Sequence, residues 1–129
     1  MAERKRIFSG AELEGRYGYA RAVVAGDRVL VSGTAPIWPD GTCDPDPGAQ
    51  ARRCLAIIES ALAEAGSSMA DVVRTRMFVT DASFRDGVGA EHARCFAANP
   101  PVTSMIVVAG LLDERWKVEI EAEAVKASS

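Results

Sequence analysis

Glu119, Glu121 and Glu123 are the most suggestive polar residues of this 129-residue chain. Side chains alternate between the two faces of an extended strand, so all three share one face. A carboxylate at the edge of a cleft can position a water or take a proton. The same residues would equally serve as a solvated face, or pair with Arg74 and Arg76 on a neighbouring strand. Other reactive types are sparse: His92 is the single histidine, and Cys43, Cys54 and Cys95 are the three cysteines. Metal sites recruit several His, Cys or carboxylate ligands at characteristic spacings, and that pattern is missing. His92 lacks a G-x-S-x-G context for a catalytic triad, so a packed or surface role is its plain reading. Gly26, Gly33, Gly41 and Gly48 are scattered singly, which does not make a phosphate-cradling loop. No cofactor and no metal are expected.

The elements that must position the carboxylates follow from periodicity. Trp116, Val118, Ile120, Ala122 and Ala124 alternate with Lys117 and the three glutamates, predicting a strand over 116–125 with one packed face. Two β-branched runs flank Ala25-Gly26-Asp27 between Arg21 and Gly33, a hairpin signal. Pro36, Pro39, Asp40 and Gly41 then form a loop. Asp46-Pro47 opens a helix over 47–65, because Asp caps free amides and Pro suits the first helical position. Ala51, Leu55, Ile58 and Leu62 give it an apolar stripe, and Gly66 stops it. Ser68 to Asp71 reads as a one-turn capping motif. Val72 to Thr80 reads as a strand with Val73, Thr75, Met77 and Val79 on one face. A second helix covers about 84–97, with Phe84, Val88, His92 and Cys95 near one stripe, and Asn99-Pro100-Pro101 ends it. Val102 to Val108 is a further strand. The expected class is α/β (α+β), in the order β-β-α-β-α-β-β, with one sheet covered by two helices.

Composition bounds the function classes. The chain fits one domain, 1–129, with residues 1–18 a peripheral segment and Arg4-Lys5-Arg6 a solvated terminal run. Hydrophobic residues make up 48% and charged residues 26%, an ordinary globular balance. The net charge of −3 argues against a nucleic-acid or anionic-membrane partner, since both favour a basic face. Aromatic residues are 6% and do not interleave with basic ones, which is poor ground for stacking RNA bases. An odd cysteine count without C-x-x-C points to reduced, packed thiols rather than a secreted disulfide scaffold. No apolar run approaches the roughly 20 residues of a membrane helix, and the first residues lack a signal-peptide stretch. A cytoplasmic location is expected.

Four segments in order carry a resemblance. Val31-Ser32-Gly33-Thr34-Ala35-Pro36, Gln50-Ala51-Arg52, Asp71-Val72-Val73-Arg74-Thr75 with Phe78-Val79-Thr80-Asp81, and Val118-Glu119-Ile120-Glu121-Ala122 resemble the YjgF/RidA family over residues 19–126. The resemblance implies a chorismate-mutase-like subunit. It also implies a homotrimer whose polar sheet faces turn inward, with small-molecule clefts between subunits. One branch of that family hydrolyses enamines and imines to keto acids and ammonia.

Carried over by position, the resemblance implies Tyr19 and Ser32 as pocket residues and Glu119 as the carboxylate that holds the attacking water. The family's carboxylate-clamping Arg is missing: Thr103 stands there, followed by Met105 where a small or thiol residue is frequent. Gly89 stands where the deaminase branch often has Asn. Charge-assisted hydrogen bonds contribute roughly 1.5–3 kcal/mol each, which a Thr hydroxyl cannot replace. Typical 2-imino acid hydrolysis is therefore expected to be weak or absent, and Arg21 is the candidate substitute cation. The function expected is hydrolysis or deamination of a less acidic enamine, imine or amide. A non-catalytic ligand-binding or regulatory trimer is the alternative. Endoribonuclease activity, also attached to the family, sits poorly with the acidic balance and the lone His92.

Overall fold

The computed structural model describes residues 4–127. One mixed sheet carries six strands: β1 Arg4–Ile7, β2 Ala22–Ala25, β3 Arg28–Thr34, β4 Val72–Val79, β5 Val102–Val107 and β6 Val118–Val125. Their spatial order is β1-β2-β3-β6-β4-β5, antiparallel throughout except for the β4–β5 pair. Three helices accompany it: α1 Glu12–Tyr17, α2 Pro47–Glu64 and α3 Arg85–Phe96. β3 and β4 both run antiparallel to β6, so they run the same way and need a crossover, which α2 supplies. The parallel β4–β5 pair needs another, which is α3.

The long helix forms as its sequence dictates. Asp46 accepts a hydrogen bond from the Ala49 amide at 2.8 Å, Pro47 occupies the first turn, and Gly66 follows with φ of 80°. Ala51, Leu55, Ile58 and Leu62 are all buried, against Val29, Met77, Val79, Ile120 and Ala122 from the sheet. Val88 and Phe96 bring α3 onto the same core. β6 alternates as expected, with Val118, Ile120, Ala122 and Ala124 buried and the glutamates on the other face. It starts two residues later than read, so Trp116 and Lys117 lie in the approach to it.

Three expectations need correction. Arg4-Lys5-Arg6 are exposed, but their backbone is an ordered edge strand paired with β2, anchored by Ile7, which is buried. Consecutive charges carry no alternation to read, although charged residues are a common way to protect a sheet edge. The following segment folds as α1 because Glu14 turns inward. Its carboxylate accepts from the Ser9 amide at 3.0 Å, the Ser9 hydroxyl at 2.6 Å and the Gly10 amide at 3.2 Å. In β4 the register slips between Val72 and Arg74, a bulge that buries Val72 and exposes Val73, so Val73 does not share the core face of Thr75, Met77 and Val79. In the 68–71 turn the Ser68 side chain makes no capping bond; the Ser67 hydroxyl donates to Asp71 at 2.8 Å instead.

Burial alone would raise the Glu14 pKa, but the Ser9 hydroxyl, the Ser9 and Gly10 amides and the charge of Arg21 bring it below its ordinary value. A depressed carboxylate contributes stability above its unfolded pKa, and that contribution is lost as pH falls through the lower folded value. Glu14→Ala removes the charged acceptor of these part-buried hydrogen bonds, so it should cost about 1–3 kcal/mol in denaturant unfolding at pH 7. The variant should also lose part of the wild-type decline in stability between pH 5 and pH 3. An unchanged midpoint would mean that the 9–14 loop does not hold the segment.

Candidate functional site

The polar face of β6 does not treat its three carboxylates alike. Glu121 meets Arg76 at 2.9 Å, and Glu123 meets Arg28 at 3.1 Å and Arg76 at 3.9 Å. Two of the three therefore take the structural role of charge pairing, with Arg28 in the place expected of Arg74. Among the described residues Glu119 forms no ion pair. Its carboxyl pKa is raised, first by burial and further by Glu121, with Arg21 opposing. A half-buried carboxyl of this kind exchanges protons nearer neutrality than an exposed one.

Gly33 makes room for it. β3 is irregular between Val31 and Thr34, where it pairs with β6. A methyl carbon built on Gly33 would sit 2.5 Å from Glu119 Oε1. Ser32 lies in the same irregular stretch, and its hydroxyl donates to the Ala20 carbonyl at 2.7 Å, tying β3 to the segment that carries Tyr19. Tyr19 is 41% exposed and available to a ligand.

Arg21 stitches this corner together. Its Nη2 donates to the carbonyls of Ser32 and Gly33 at 2.8 and 2.9 Å and to Thr34 Oγ1 at 2.9 Å. Its Nε is buried without a partner. Burial pushes the guanidinium pKa down, while Glu14, Tyr19 and Glu119 push it back up. Tyr19, Arg21, Ser32 and Glu119 thus belong to one end of the sheet.

Thr103 and Met105 do not join them within the subunit. They lie on β5, two strand spacings from Glu119 on β6 and three from Ser32 on β3, or about 10 and 14 Å. Thr103 is exposed, Met105 partly buried, and Val102, Ile106 and Val107 are 60%, 42% and 57% exposed on this free edge. No three His, Cys, Asp or Glu side chains converge on a metal-sized point among the described residues. Among the described residues no helix is long and apolar enough to cross a membrane.

The family model described as endoribonuclease L-PSP matches residues 10–126. The chain belongs to the YjgF/RidA family. A YjgF-family member from Mycobacterium tuberculosis superposes with a TM-score of 0.88 at 45% identity, covering 95% of this chain and 99% of the other. An uncharacterised protein of Streptomyces coelicolor is 37% identical over 96% of this chain and 93% of its own length. A Salmonella typhimurium relative named 2-iminobutanoate/2-iminopropanoate deaminase is 35% identical over 84% of this chain and 87% of its own. The chorismate-mutase-like α+β fold of the family is therefore the fold of this chain.

Two further residues bear on this corner of the YjgF/RidA chain. Gln50, fully buried, donates to the carbonyls of Asp44 and Arg115 at 2.8 and 2.9 Å and accepts from the Lys117 amide at 2.7 Å. It pins the chain two residues before Glu119, and so fixes where β6 begins. Thr75, also fully buried, touches both His92 and Thr103. Its signal in the sequence was a hydroxyl at a core-facing position, which must find a partner.

Gly33→Ala separates position from fold. Gly33 is not in the left-handed region, and the methyl would meet only the tip of a flexible side chain. Stability should change by less than about 1 kcal/mol, while the Glu119 carboxylate is driven off position 33. Carboxyl 13C titration of Glu119 should then show its raised pKa moving; an unmoved value would refute the close packing.

Proposed function

We propose that this YjgF/RidA protein is a small-molecule hydrolase or deaminase whose site is completed between subunits of a homotrimer. The observation that carries the proposal is the asymmetry of the β6 face: Glu119 alone is left unpaired, with a raised pKa, against Gly33. The relatives named as 2-iminobutanoate/2-iminopropanoate deaminases support a carbon–nitrogen substrate. The distance between the Glu119 corner and β5 supports a composite site, as does the apolar free edge of β5, since exposed strand edges invite pairing.

In this reading Tyr19 and Ser32 of one subunit orient the ligand, and Thr103 and Met105 of a neighbour line the other wall. Glu119 takes a proton from water as its oxygen bonds the imine or amide carbon. For an imine the C–N π electrons move to nitrogen, which takes the proton back from Glu119; the hydroxyl proton of that adduct then passes by way of Glu119 to nitrogen as the C–N bond breaks, so ammonia or an amine leaves and the carbonyl forms. For an amide the C–O π electrons move to oxygen and return to re-form the carbonyl as nitrogen takes the Glu119 proton and leaves. Thr103 supplies a hydrogen bond but no charge, so the ligand is less acidic than a 2-imino acid. Arg21, held by three acceptors on Nη2, acts on Glu119 through its field. The family model's description raises RNA cleavage, but the neighbouring carboxylate Glu121 is paired with Arg76 and the single histidine is held against Thr75, which leaves Glu119 without a matched acid–base partner.

Hydrolysis of 2-iminopropanoate, generated by an amino-acid oxidase, tests the substrate class. Wild type should show little activity and Thr103→Arg should gain it, at least tenfold. Clear wild-type activity would mean that Arg21 clamps the carboxylate after all. No activity in either protein, with ligand-induced stabilisation by neutral metabolites, would favour a non-catalytic binding trimer.

Once a substrate is in hand, Glu119→Gln should lower kcat by 10²-fold or more without shifting Tm, the usual scale for a lost general base. The basic form of Glu119 accumulates as pH rises through its raised pKa. The acid limb of wild-type kcat/KM should therefore lie above pH 4.5. A limb at or below that value would remove Glu119 from the base role.

A further inference from the structure

The lone histidine is wired to the β5 edge. Thr75 on β4 pairs in register with Thr103 on β5, and its hydroxyl donates to Thr103 Oγ1 at 2.7 Å. On the other side the same Thr75 oxygen lies 2.8 Å from His92 Nε2 on α3. Thr75 is fully buried, and the His92 ring is held in a tilted stack on Phe96 at 4.6 Å. The chain therefore runs along the helix-covered face of the sheet, from α3 across β4 to an exposed hydroxyl on the β5 edge.

A hydroxyl has one proton to donate. When Thr75 gives it to Thr103, only a protonated Nε2 can complete the chain, so His92 donates to Thr75. Thr103 then keeps its own O–H free to point outward. If His92 carries its proton on Nδ1 instead, Thr75 donates to Nε2. Thr103 must then donate inward and shows only lone pairs to a ligand. The His92 tautomer thus decides whether Thr103 is a donor or an acceptor.

We infer that His92 is a positioning residue which, through Thr75, sets Thr103 as an outward hydrogen-bond donor, so that this wall of the site takes a neutral acceptor such as a carbonyl or amide oxygen. The inference rests on the reading of Thr103 as a ligand-facing residue. Burial holds the His92 pKa below its ordinary value, so the ring is neutral at pH 7 and has a tautomer to choose. Its sequence neighbour Glu91 is occupied by Arg52 and Arg94 and is no competing partner. A fixed cation recognises one ligand charge, whereas a hydroxyl with a set direction recognises a neutral group and rejects another donor.

Because the chain has a single histidine, long-range 1H–15N NMR reads its tautomer without ambiguity. In the wild type at pH 7.5 the Nε2–H form should dominate. Thr103→Val removes the acceptor for Thr75, whose hydroxyl then has only Nε2 to donate to. The ratio should swing toward Nδ1–H by at least tenfold, and Thr103→Ser should restore it. Thr103 is exposed, so neither variant threatens the fold. A ratio that Thr103→Val leaves unchanged, or that Thr103→Ser fails to restore, would overturn the coupling. The measurement needs no substrate. An inert Glu119 would therefore sink the proposed reaction and leave this result standing, and an uncoupled His92 would do the reverse.

Discussion

Strand β6 is the last to appear in the sequence, yet it lies inside the sheet with β3 on one side and β4 on the other. Its alternation is the constraint on which the rest depends. A slip of one residue would turn Val118, Ile120, Ala122 and Ala124 out of the core and three carboxylates into it. Gln50 guards that register from outside the sheet. It binds the Lys117 amide, so the first turn of α2 and the start of β6 are fixed together. The position of Glu119 is thus fixed by an amide side chain on α2.

The same strand face shows how a protein singles out one acid from three identical ones. Like charges spaced two residues apart on a strand repel, and pairing removes the strain for two of them. Arg76 and Arg28 neutralise Glu121 and Glu123 at ranges of 2.9 to 3.1 Å. These pairs are partly exposed, so their worth in stability is small, of order 0–1 kcal/mol each. Their larger effect is selective: they leave Glu119 as the carboxylate whose proton is governed by burial and by the more distant Arg21. Gly33 completes the selection by leaving space where any side chain would displace the carboxylate.

Much of the frame was legible because local signals and tertiary demands agreed. Asp46-Pro47 and the stripe through Leu62 define α2, and strict alternation defines β6. The rest was hidden for identifiable reasons. β1 has no alternation in Arg4-Lys5-Arg6; only its backbone, paired with β2, and the buried Ile7 make it a strand. The β4 bulge depends on cross-strand register, so nothing in Val72-Val73 says which of two valines faces the core. Arg28 as the partner of Glu123 depends on strand order, which periodicity does not encode. Tyr19 and Ser32 entered by resemblance, which also set Glu119 apart from the other two glutamates that the spacing had put on its face. The structure brings Ser32 and Glu119 to one corner and leaves Thr103 and Met105 at the far edge.

That separation bears on how the site would work as a whole. One corner holds a fixed cation, Arg21, whose charge is turned inward onto backbone carbonyls and Thr34. The far edge holds a hydroxyl backed by a buried threonine and a neutral imidazole. Neither wall offers a free, forked guanidinium of the kind that grips a carboxylate in two places. A ligand spanning both would meet one carboxyl poised to exchange a proton and several neutral hydrogen-bonding groups. In the proposed reading such a cleft would bind an anion poorly, because Glu119 in its basic form repels it while Arg21 is turned onto backbone carbonyls. It binds a neutral carbon–nitrogen compound without that cost. In the proposed reading, a hydroxyl at Thr103 in place of a cation and a proton-transfer role for Glu119 are therefore compatible in one protein, provided the substrate carries no carboxylate near the reacting carbon.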